Sequence, residues 1–137
     1  MLALDTYCFD SAGRFQIKQQ AETGQLDEAN ATFRRQKYCC AVCGYVITTQ
    51  GDAVEVDGAH QHARINPDGR RFLLRCFSIA AGCGYHGDAT SYHTWFTGYA
   101  WRYAHCSRCQ SQLGWYFQGN GSFYGLISEQ LVHCDDC

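Results

Sequence analysis

Short runs of hydrophobic, β-branched and aromatic residues recur along the chain, separated by polar and glycine-rich segments, and these runs predict β-strands. Residues 45–49 and 53–56 are two such runs, and the turn-forming sequence Gln-Gly-Asp separates them. A strong turn sequence, Asn-Pro-Asp-Gly at 66–69, precedes residues 72–77, which predict a buried strand. The glycine-rich residues 80–91 predict a loop.

The C-terminal part of the chain continues this pattern. Residues 99–105, 114–118 and 123–128 each predict a strand, and Gly-Asn-Gly-Ser at 119–122 predicts the hairpin turn between the last two. Residues 129–133 either continue the last strand or form a further one. The chain therefore predicts a mainly-β domain.

The N-terminal part predicts less structure. Apolar residues recur at helical spacing within residues 17–36 and permit a short helix, although Gly24 interrupts it. The 137 residues are enough for one domain with a hydrophobic core. The sequence contains no internal repeat, linker or low-complexity tract.

Composition and charge exclude several classes of function. The aromatic fraction of 15% argues against a disordered chain, and the net charge of −2 offers no electrostatic basis for binding nucleic acid. No apolar run approaches the roughly 20 residues of a membrane span, and the N-terminus lacks the features of a signal peptide. We therefore expect a soluble cytoplasmic protein whose partner is neither nucleic acid nor a membrane.

Ten cysteines are the most unusual feature of the composition. Six of them form three C-x-x-C pairs: Cys40/Cys43, Cys106/Cys109 and Cys134/Cys137. Two such pairs supply the four thiolates of a closed tetrahedral zinc site. Such a site binds with about 10–16 kcal/mol, against about 2–4 kcal/mol for a disulfide, and disulfides are rare in the reducing compartment expected here. Zinc binding is therefore the better interpretation.

Spacing alone does not decide which two pairs cooperate. The last two pairs would leave a short, ribbon-like gap of 24 residues between them. The first two pairs would leave a gap of 62 residues and would tie together the two ends of a whole domain. Both arrangements are compatible with a structural zinc site.

All three tryptophans, Trp95, Trp101 and Trp115, lie within 21 positions of one another. Trp101 and Tyr103 share one face of a predicted strand, and Trp115 and Phe117 share one face of the next. One interpretation is a hydrophobic core, where most aromatic residues lie. The other is an aromatic cage for a small ligand. Because no Asp or Glu lies between residues 91 and 117, the cage would suit an uncharged ring better than a cation.

Four runs carry a more specific signal: HTWFTGYAW at 93–101, CSRC at 106–109, LGWYF at 113–117 and FYGL at 123–126. Together with Asn66-Pro67-x-Gly69 and Cys40-x-x-Cys43, they resemble the CULT domain, which is the thalidomide-binding domain of the cereblon family. The resemblance covers residues 38–128. The short chain is similar to the free-standing bacterial members of the family.

The resemblance implies a fold of two antiparallel sheets that meet at an angle like a tent (a β-tent), with one structural zinc at the joint. It implies that the zinc ligands are Cys40, Cys43, Cys106 and Cys109. It also divides the chain into an N-terminal extension over residues 1–37, a zinc-binding β domain over 38–128 and a tail over 129–137.

The resemblance further implies a binding function without catalysis. The ligand-binding residues that it implies are His93, Trp95, Trp101, Trp115, Phe117, Asn66 and Phe72. The three tryptophans correspond to a cage for glutarimide, other cyclic imides of the thalidomide type and uracil-type rings, with Phe117 at its base. The imide edge would pair with the His93 C=O and the Trp95 N–H, while Asn66 and Phe72 flank the mouth. The implied partner is a small cyclic imide or a protein C-terminus that carries one.

Several residues fall outside this picture. Thr97 replaces a proline that is usual in the family, so we expect a less rigid loop around Trp95. His60 and His62 are expected to be solvated. Six cysteines have no role in the resemblance: Cys8, Cys39, Cys76, Cys83, Cys134 and Cys137. We expect buried free thiols, with a second metal site, which could also include His86, as the alternative.

A different class of function is a zinc-containing thiol oxidoreductase, since methionine sulfoxide reductases of the B type share a related zinc-knuckle scaffold. Such an enzyme needs a thiol with a low pKa. Only Cys134, after His133, has a suitable position, and Asp135 and Asp136 beside it would raise the pKa of this thiol. We therefore predict a binding module and no enzymatic activity.

Overall fold

The computed structural model describes Phe33 and residues 35–134, which are built mainly from β-strands. The strands in this part are β1 (Lys37–Cys40), β2 (Val46–Thr49), β3 (Gln61–Ile65), β4 (Arg71–Phe77), β5 (Cys83–Thr90), β6 (Ala100–Cys106), β7 (Gln112–Gly119), β8 (Gly121–Ile127) and β9 (Leu131–Cys134). Two short 3-10 helices, Gln50–Asp52 and Ser128–Gln130, lie between strands. The prediction of a mainly-β fold is confirmed.

The strands form two antiparallel sheets, as predicted. A three-stranded sheet has the order β2-β1-β9, and a six-stranded sheet has the order β3-β4-β8-β7-β6-β5. Neighbouring strands in both sheets run antiparallel. Strand β9 reaches into the segment predicted as a tail, because it pairs with β1 from Lys37↔Cys134 to Cys40↔Leu131. The division at residues 37 and 128 stays a prediction.

Both predicted tight turns are present in the six-stranded sheet. Between β3 and β4, the Asn66 side-chain oxygen accepts a hydrogen bond from the Arg70 N–H at 2.8 Å. Gly69 in this turn has a φ of +86°, which a residue without Cβ adopts easily. Between β7 and β8, Gly119 pairs with Gly121, and this register leaves a tight turn around Asn120.

The prediction of a loop over residues 80–91 is wrong, because most of this segment forms β5. Strand β5 lies at the edge of the six-stranded sheet and pairs only with β6 in that sheet. Its side chains are mostly exposed, so it lacks the apolar run by which a buried strand is recognised. The strand predicted at 53–56 is also wrong, since this segment makes only isolated bridges, Ala53↔Phe77 and Val56↔Ala59.

His62 is buried, contrary to the expectation from sequence, and His60 is half-buried. His62 is only 8% exposed, and its Nε2 lies 2.8 Å from the carbonyl oxygen of Val56 and 3.0 Å from that of Ala59. His60 Nδ1 lies 3.1 Å from the carbonyl oxygen of Val54. Both rings thus hold the 54–59 loop, whose carbonyl groups have few strand partners. The helix predicted within residues 17–36 lies almost wholly outside the described residues.

Two groups of buried residues form the core. One joins the two sheets and includes Tyr38, Ile47 and Leu131 from the three-stranded sheet with Phe77, Leu113 and Leu126 from the six-stranded sheet. The other lies between the six-stranded sheet and the 91–99 loop, and it includes Leu74, Phe117, Phe123 and Ile127 from the sheet and Phe96 from the loop. Gly82 permits the sheets to approach closely, because a Cβ there would clash with the Val46 carbonyl oxygen.

Candidate functional site

A four-cysteine cluster, made of Cys40, Cys43, Cys106 and Cys109, connects the two sheets. Strand β1 of the smaller sheet ends at Cys40, and β6 of the larger sheet ends at Cys106. The turns after the two strands have the same hydrogen bond: the Gly44 N–H donates to the Cys40 C=O at 2.8 Å, and the Gln110 N–H donates to the Cys106 C=O at 2.9 Å. Each C-x-x-C motif therefore turns its second cysteine back toward its first.

The cluster has dimensions that suit a metal ion. Its four Sγ atoms lie within 4.8 Å of one another, with Cys40 and Cys109 3.6 Å apart and Cys43 and Cys106 also 3.6 Å apart. Four sulfurs at the zinc–thiolate distance of about 2.3 Å would be separated by about 3.8 Å in a tetrahedron. The cluster could thus hold one metal ion. The structure brings together the first two C-x-x-C pairs, which resolves the alternatives that spacing left open.

Hydrogen bonding favours the metal-binding form of one ligand. Hydrogen bonds with the side chain and the backbone of Ser111 lower the pKa of Cys109 to about 6, and its Sγ lies 3.3 Å from Ser111 Oγ. A thiol with this pKa is mostly a thiolate at neutral pH, and the thiolate is the form that binds metal. Cys43 has the opposite shift: a backbone hydrogen bond with Tyr45 lowers its pKa, but burial and the neighbouring cysteine thiols outweigh this and raise the pKa to about 11.

Cys39 and Cys134 form a disulfide between β1 and β9, which corrects the expectation that both are free thiols. Successive residues of a strand point to opposite faces, so Cys39 points away from the cluster that contains Cys40. Antiparallel pairing of β1 with β9 then brings the Cys39 and Cys134 Cα atoms within 6.0 Å. The disulfide leaves neither sulfur available for a second metal site.

Two other cysteines without a role in the resemblance are free thiols, as expected. Burial raises the pKa of Cys76 to about 12 and that of Cys83 to about 12. Both thiols are therefore protonated at neutral pH and poorly reactive. Cys8 and Cys137 lie outside the described residues.

An aromatic cavity of about 560 Å³ opens on the six-stranded sheet. Its lining includes the ligand-binding residues predicted from the sequence: Asn66, Phe72, His93, Trp95, Trp101, Trp115 and Phe117. These residues come from the β3–β4 turn, from β4, β6 and β7, and from the 91–99 loop. Strand register explains part of this assembly, because Trp101 of β6 lies opposite Phe117 of β7, and Tyr103 lies opposite Trp115.

Hydrogen bonds and ring contacts fix the three tryptophans. The Trp95 indole N–H donates to the Ile65 carbonyl oxygen at 3.1 Å, and the Trp101 indole N–H donates to the Tyr92 carbonyl oxygen at 2.8 Å. Trp95 contacts Trp115 edge to face, with their ring centroids 4.8 Å apart. Since both indole N–H groups are satisfied within the protein, the exposed parts of these rings offer apolar surface to a ligand.

The loop that carries Trp95 is anchored by Phe96. This ring is 0% exposed and packs against Phe117 at 4.9 Å and Phe123 at 5.1 Å between centroids. His93, on the other side of Trp95, has a φ of +53°, in the left-handed region. Within the described part of the chain, neither the His93 C=O nor the Trp95 backbone N–H has a hydrogen-bond partner. Two residues that line the cavity therefore carry one unpaired backbone acceptor and one unpaired backbone donor.

Further residues line the cavity that the sequence did not identify as ligand-binding: Tyr92, Tyr103, Arg70, Gln112 and Gln130. Tyr103 could have been found, because it lies two residues after Trp101 on the same strand face. Gln130 lies in the 3-10 helix Ser128–Gln130, far along the chain from the tryptophans, and no sequence signal points to it.

In residues 35–134, no helix is long and apolar enough to cross a membrane. No family model matches the chain. The curated proteins similar to it include cereblon from Gallus gallus, 30% identical over 104 residues, and cereblon from Danio rerio, 36% identical over 102 residues. Each match covers 69% of this chain but only 23% and 24% of the two relatives, so the chain spans about a quarter of their length. The recognition made from the tryptophan and cysteine motifs is confirmed: the chain carries a cereblon-like domain of the CULT type.

Proposed function

We propose that the aromatic cavity binds the flat ring of a cyclic imide such as glutarimide, and that the domain is a binding module without catalytic activity. One observation carries the proposal: three tryptophans line a single cavity, and two of its lining residues, His93 and Trp95, carry an unpaired backbone acceptor and donor. Ligand sites of small molecules have this composition, with mostly apolar walls and a few placed polar groups.

The chemistry of an imide matches both parts of this site. Its ring has two flat apolar faces, which would pack against Trp95, Trp101 and Trp115. Its edge carries an N–H between two carbonyl groups, so the N–H would donate to the His93 C=O while a carbonyl accepts from the Trp95 N–H. A ring without such an edge would leave both backbone groups unpaired in a partly dry site, which costs free energy.

The remaining lining residues would set the shape of the cavity. Phe117 is 1% exposed and would form its base. Phe72 contacts Trp95 and Trp115, with centroids 5.9 and 5.1 Å apart, and would close one side together with Asn66. Uracil-type rings carry the same N–H and carbonyl edge and would bind by the same contacts. A free small molecule or a protein C-terminus that ends in a cyclic imide would both present this edge.

We further propose that the four-cysteine cluster holds one structural zinc ion. The all-thiolate ligand set and the tetrahedral spacing of its sulfurs support zinc. A closed four-thiolate site has no open position for a reactant, so the ion would be structural.

Cytoplasmic location stays a prediction. The Cys39–Cys134 disulfide argues against it, since such bonds persist mainly in oxidising compartments.

Thiol oxidoreductase activity is the alternative, and the described thiols favour it less. Cys134, the only candidate from the sequence, is bound to Cys39. Cys76 and Cys83 have pKa values raised to about 12, opposite to what a nucleophilic thiol needs. Cys109 has a low pKa, but it lies within the proposed metal cluster.

A titration of intrinsic tryptophan fluorescence with glutarimide tests the proposal. We expect saturable quenching, and a matched ligand, N-methylglutarimide, should bind at least tenfold more weakly because it lacks the N–H donor. Trp101→Ala should abolish binding, whereas Tyr45→Ala, which removes an exposed aromatic ring outside the cavity lining, should bind normally. Unchanged fluorescence and an unchanged melting temperature at millimolar glutarimide would refute the imide proposal.

A further inference from the structure

His86 and His105 form a pair outside the cavity, on the edge of the six-stranded sheet. His86 lies on β5 and His105 on β6, and the register pairs His86 with Tyr103 and Gly84 with His105. The two histidines are thus diagonal neighbours on one face of an antiparallel ladder, within reach of each other. Their Nδ1 atoms lie 2.9 Å apart.

Neighbouring residues hold both rings in this arrangement. A Cβ on Gly84 would lie 2.7 Å from His105 Nε2, so the His105 ring occupies space that only glycine leaves open. The His86 ring stacks on Tyr103, with centroids 5.5 Å apart and planes at 22°. Both Nδ1 atoms consequently face one another, while His86 itself is exposed to solvent.

We propose that His86 and His105 bind one divalent transition-metal ion through their Nδ1 atoms, which are joined by a hydrogen bond in the absence of metal. The ring that donates this hydrogen bond would change tautomer, so that its proton lies on Nε2 and its Nδ1 lone pair is free for the ion. Imidazole nitrogens lie about 2.0–2.1 Å from such an ion, so two nitrogens 2.9 Å apart subtend about 90° at the metal. This is the angle between neighbouring ligands of an octahedral or square-planar centre, and a tetrahedral centre would need a separation of about 3.4 Å. The geometry therefore suits Ni²⁺ or Cu²⁺ better than Zn²⁺. Water would fill the other positions.

The pair is separate from the four-cysteine cluster, although His105 precedes Cys106. Successive residues of β6 point to opposite faces, so the buried Cys106 side chain faces the core while His105 faces the side of the sheet that carries Tyr103. Tyr103 also lines the aromatic cavity. The proposed ion would thus lie beyond the cavity on the same face of the sheet.

Titration of the untagged full chain with Ni²⁺, followed by calorimetry, tests this site, with the metal content of the four-cysteine cluster measured before and after. We expect one equivalent of Ni²⁺ to bind, and His86→Ala and His105→Ala each to abolish that binding. His133→Ala removes another exposed histidine and is the matched control, which should still bind one equivalent. Mg²⁺, which prefers oxygen ligands, should not bind.

The ultraviolet spectrum separates this site from the cysteine cluster. Nickel on thiolates produces intense charge-transfer bands, whereas nickel on two imidazoles does not. His86→Ala alone can decide the question if His105→Ala fails to fold, because His86 is exposed. No bound Ni²⁺, or an equivalent that persists in His86→Ala, would overturn the proposal and leave a hydrogen-bonded pair of histidines.

Discussion

The four-cysteine cluster and the aromatic cavity are both assembled from distant parts of the chain, but the way in which their residues are brought together differs. The cluster uses two copies of one local motif, each closed by the same backbone hydrogen bond. The cavity draws single residues from turns, strands and a loop, and depends on strand register to align them. We therefore expect the cluster to hold the two sheets together and the cavity to determine which ligand the domain binds.

The two regions also rest on different groups of buried residues. The cluster packs against the core group that joins the sheets, which includes Tyr38 and Leu113. The cavity rests on the other group, in which Phe96 of the 91–99 loop packs against Phe123 of the six-stranded sheet. Substitutions in one region should therefore affect stability and binding in different proportions from substitutions in the other.

Loss of a cysteine from the cluster should have the largest effect. Cys106→Ser removes one thiolate, and we expect loss of the bound metal and of cooperative unfolding, because a structural zinc contributes about 10–16 kcal/mol. Metal analysis and a thermal melt followed by circular dichroism check this. Cys76→Ala, a buried cysteine outside the cluster, is the control and should keep its metal. A metal-free Cys106→Ser protein that melts like the wild type would end the idea that the cluster joins the sheets.

The disulfide should rank next. Cys39 and Cys134 are 95 positions apart, and closing a loop of about 100 residues stabilises a fold by about 4.7 kcal/mol in the chain-entropy model. The double variant Cys39→Ser/Cys134→Ser should lose stability of this order in urea unfolding while it keeps its metal. Val132→Ala, an exposed position on the same strand, should change little. Equal stability of the double variant and the wild type would mean that the bond does not stabilise the joint.

Phe96 tests the foundation of the cavity. Phe96→Ala should cost about 3–5 kcal/mol, because it leaves a void beneath the Trp95 loop. It should also weaken imide binding more than its loss of stability explains, since Trp95 would lose its support. Phe33→Ala, at a position that is 53% exposed, is the control and should be nearly neutral. Unchanged ligand affinity in a destabilised Phe96→Ala protein would show that Phe96 stabilises the fold but does not position Trp95 for binding.

Asn66 should show the smallest effect on stability. Asn66→Ala removes the acceptor of the Arg70 N–H at 2.8 Å, and one such hydrogen bond contributes about 1 kcal/mol. Asn66→Asp keeps an acceptor oxygen and should restore most of this loss in urea unfolding. If Asn66→Ala costs several kcal/mol, the turn contributes to the stability of the sheets as well as to the rim of the cavity.

The sequence predicted strands at the positions of β2, β4 and β6 to β8 but missed β1, β3 and β5. Burial explains only part of this difference, because three of the four residues of the missed strand β1 are buried. Strand β4 was found because residues 72–77 form an apolar run, whereas the edge strand β5 exposes most of its side chains. The 53–56 segment shows the opposite error, because its β-rich residues find no strand partner beyond isolated bridges. Propensity describes the local chain, but pairing depends on which neighbour the fold supplies.

Cysteine chemistry divides in the same way. The C-x-x-C motifs predicted a metal site, since two residues between cysteines suffice to turn both sulfurs toward one ion. The spacing of Cys39 and Cys134 did not predict a disulfide, because this bond arises from the pairing of β1 with β9. The buried His62 was missed for the same reason, as its partners are carbonyl groups of a loop that only the fold brings close.

By itself the sequence determined the β class, the two tight turns, the metal-binding motifs and the residues that mark a CULT-type domain. Each of these depends on residues that are close to one another along the chain. The family resemblance already implied which cysteine pairs share a cluster and that the three tryptophans form a cage, whereas residue spacing alone did not; the tertiary structure brings both sets of residues together and alone decided which sulfurs form a disulfide. The physical reason is strand pairing: an antiparallel register brings residues nearly a hundred positions apart into contact, and alternation along each strand then selects the face on which they meet.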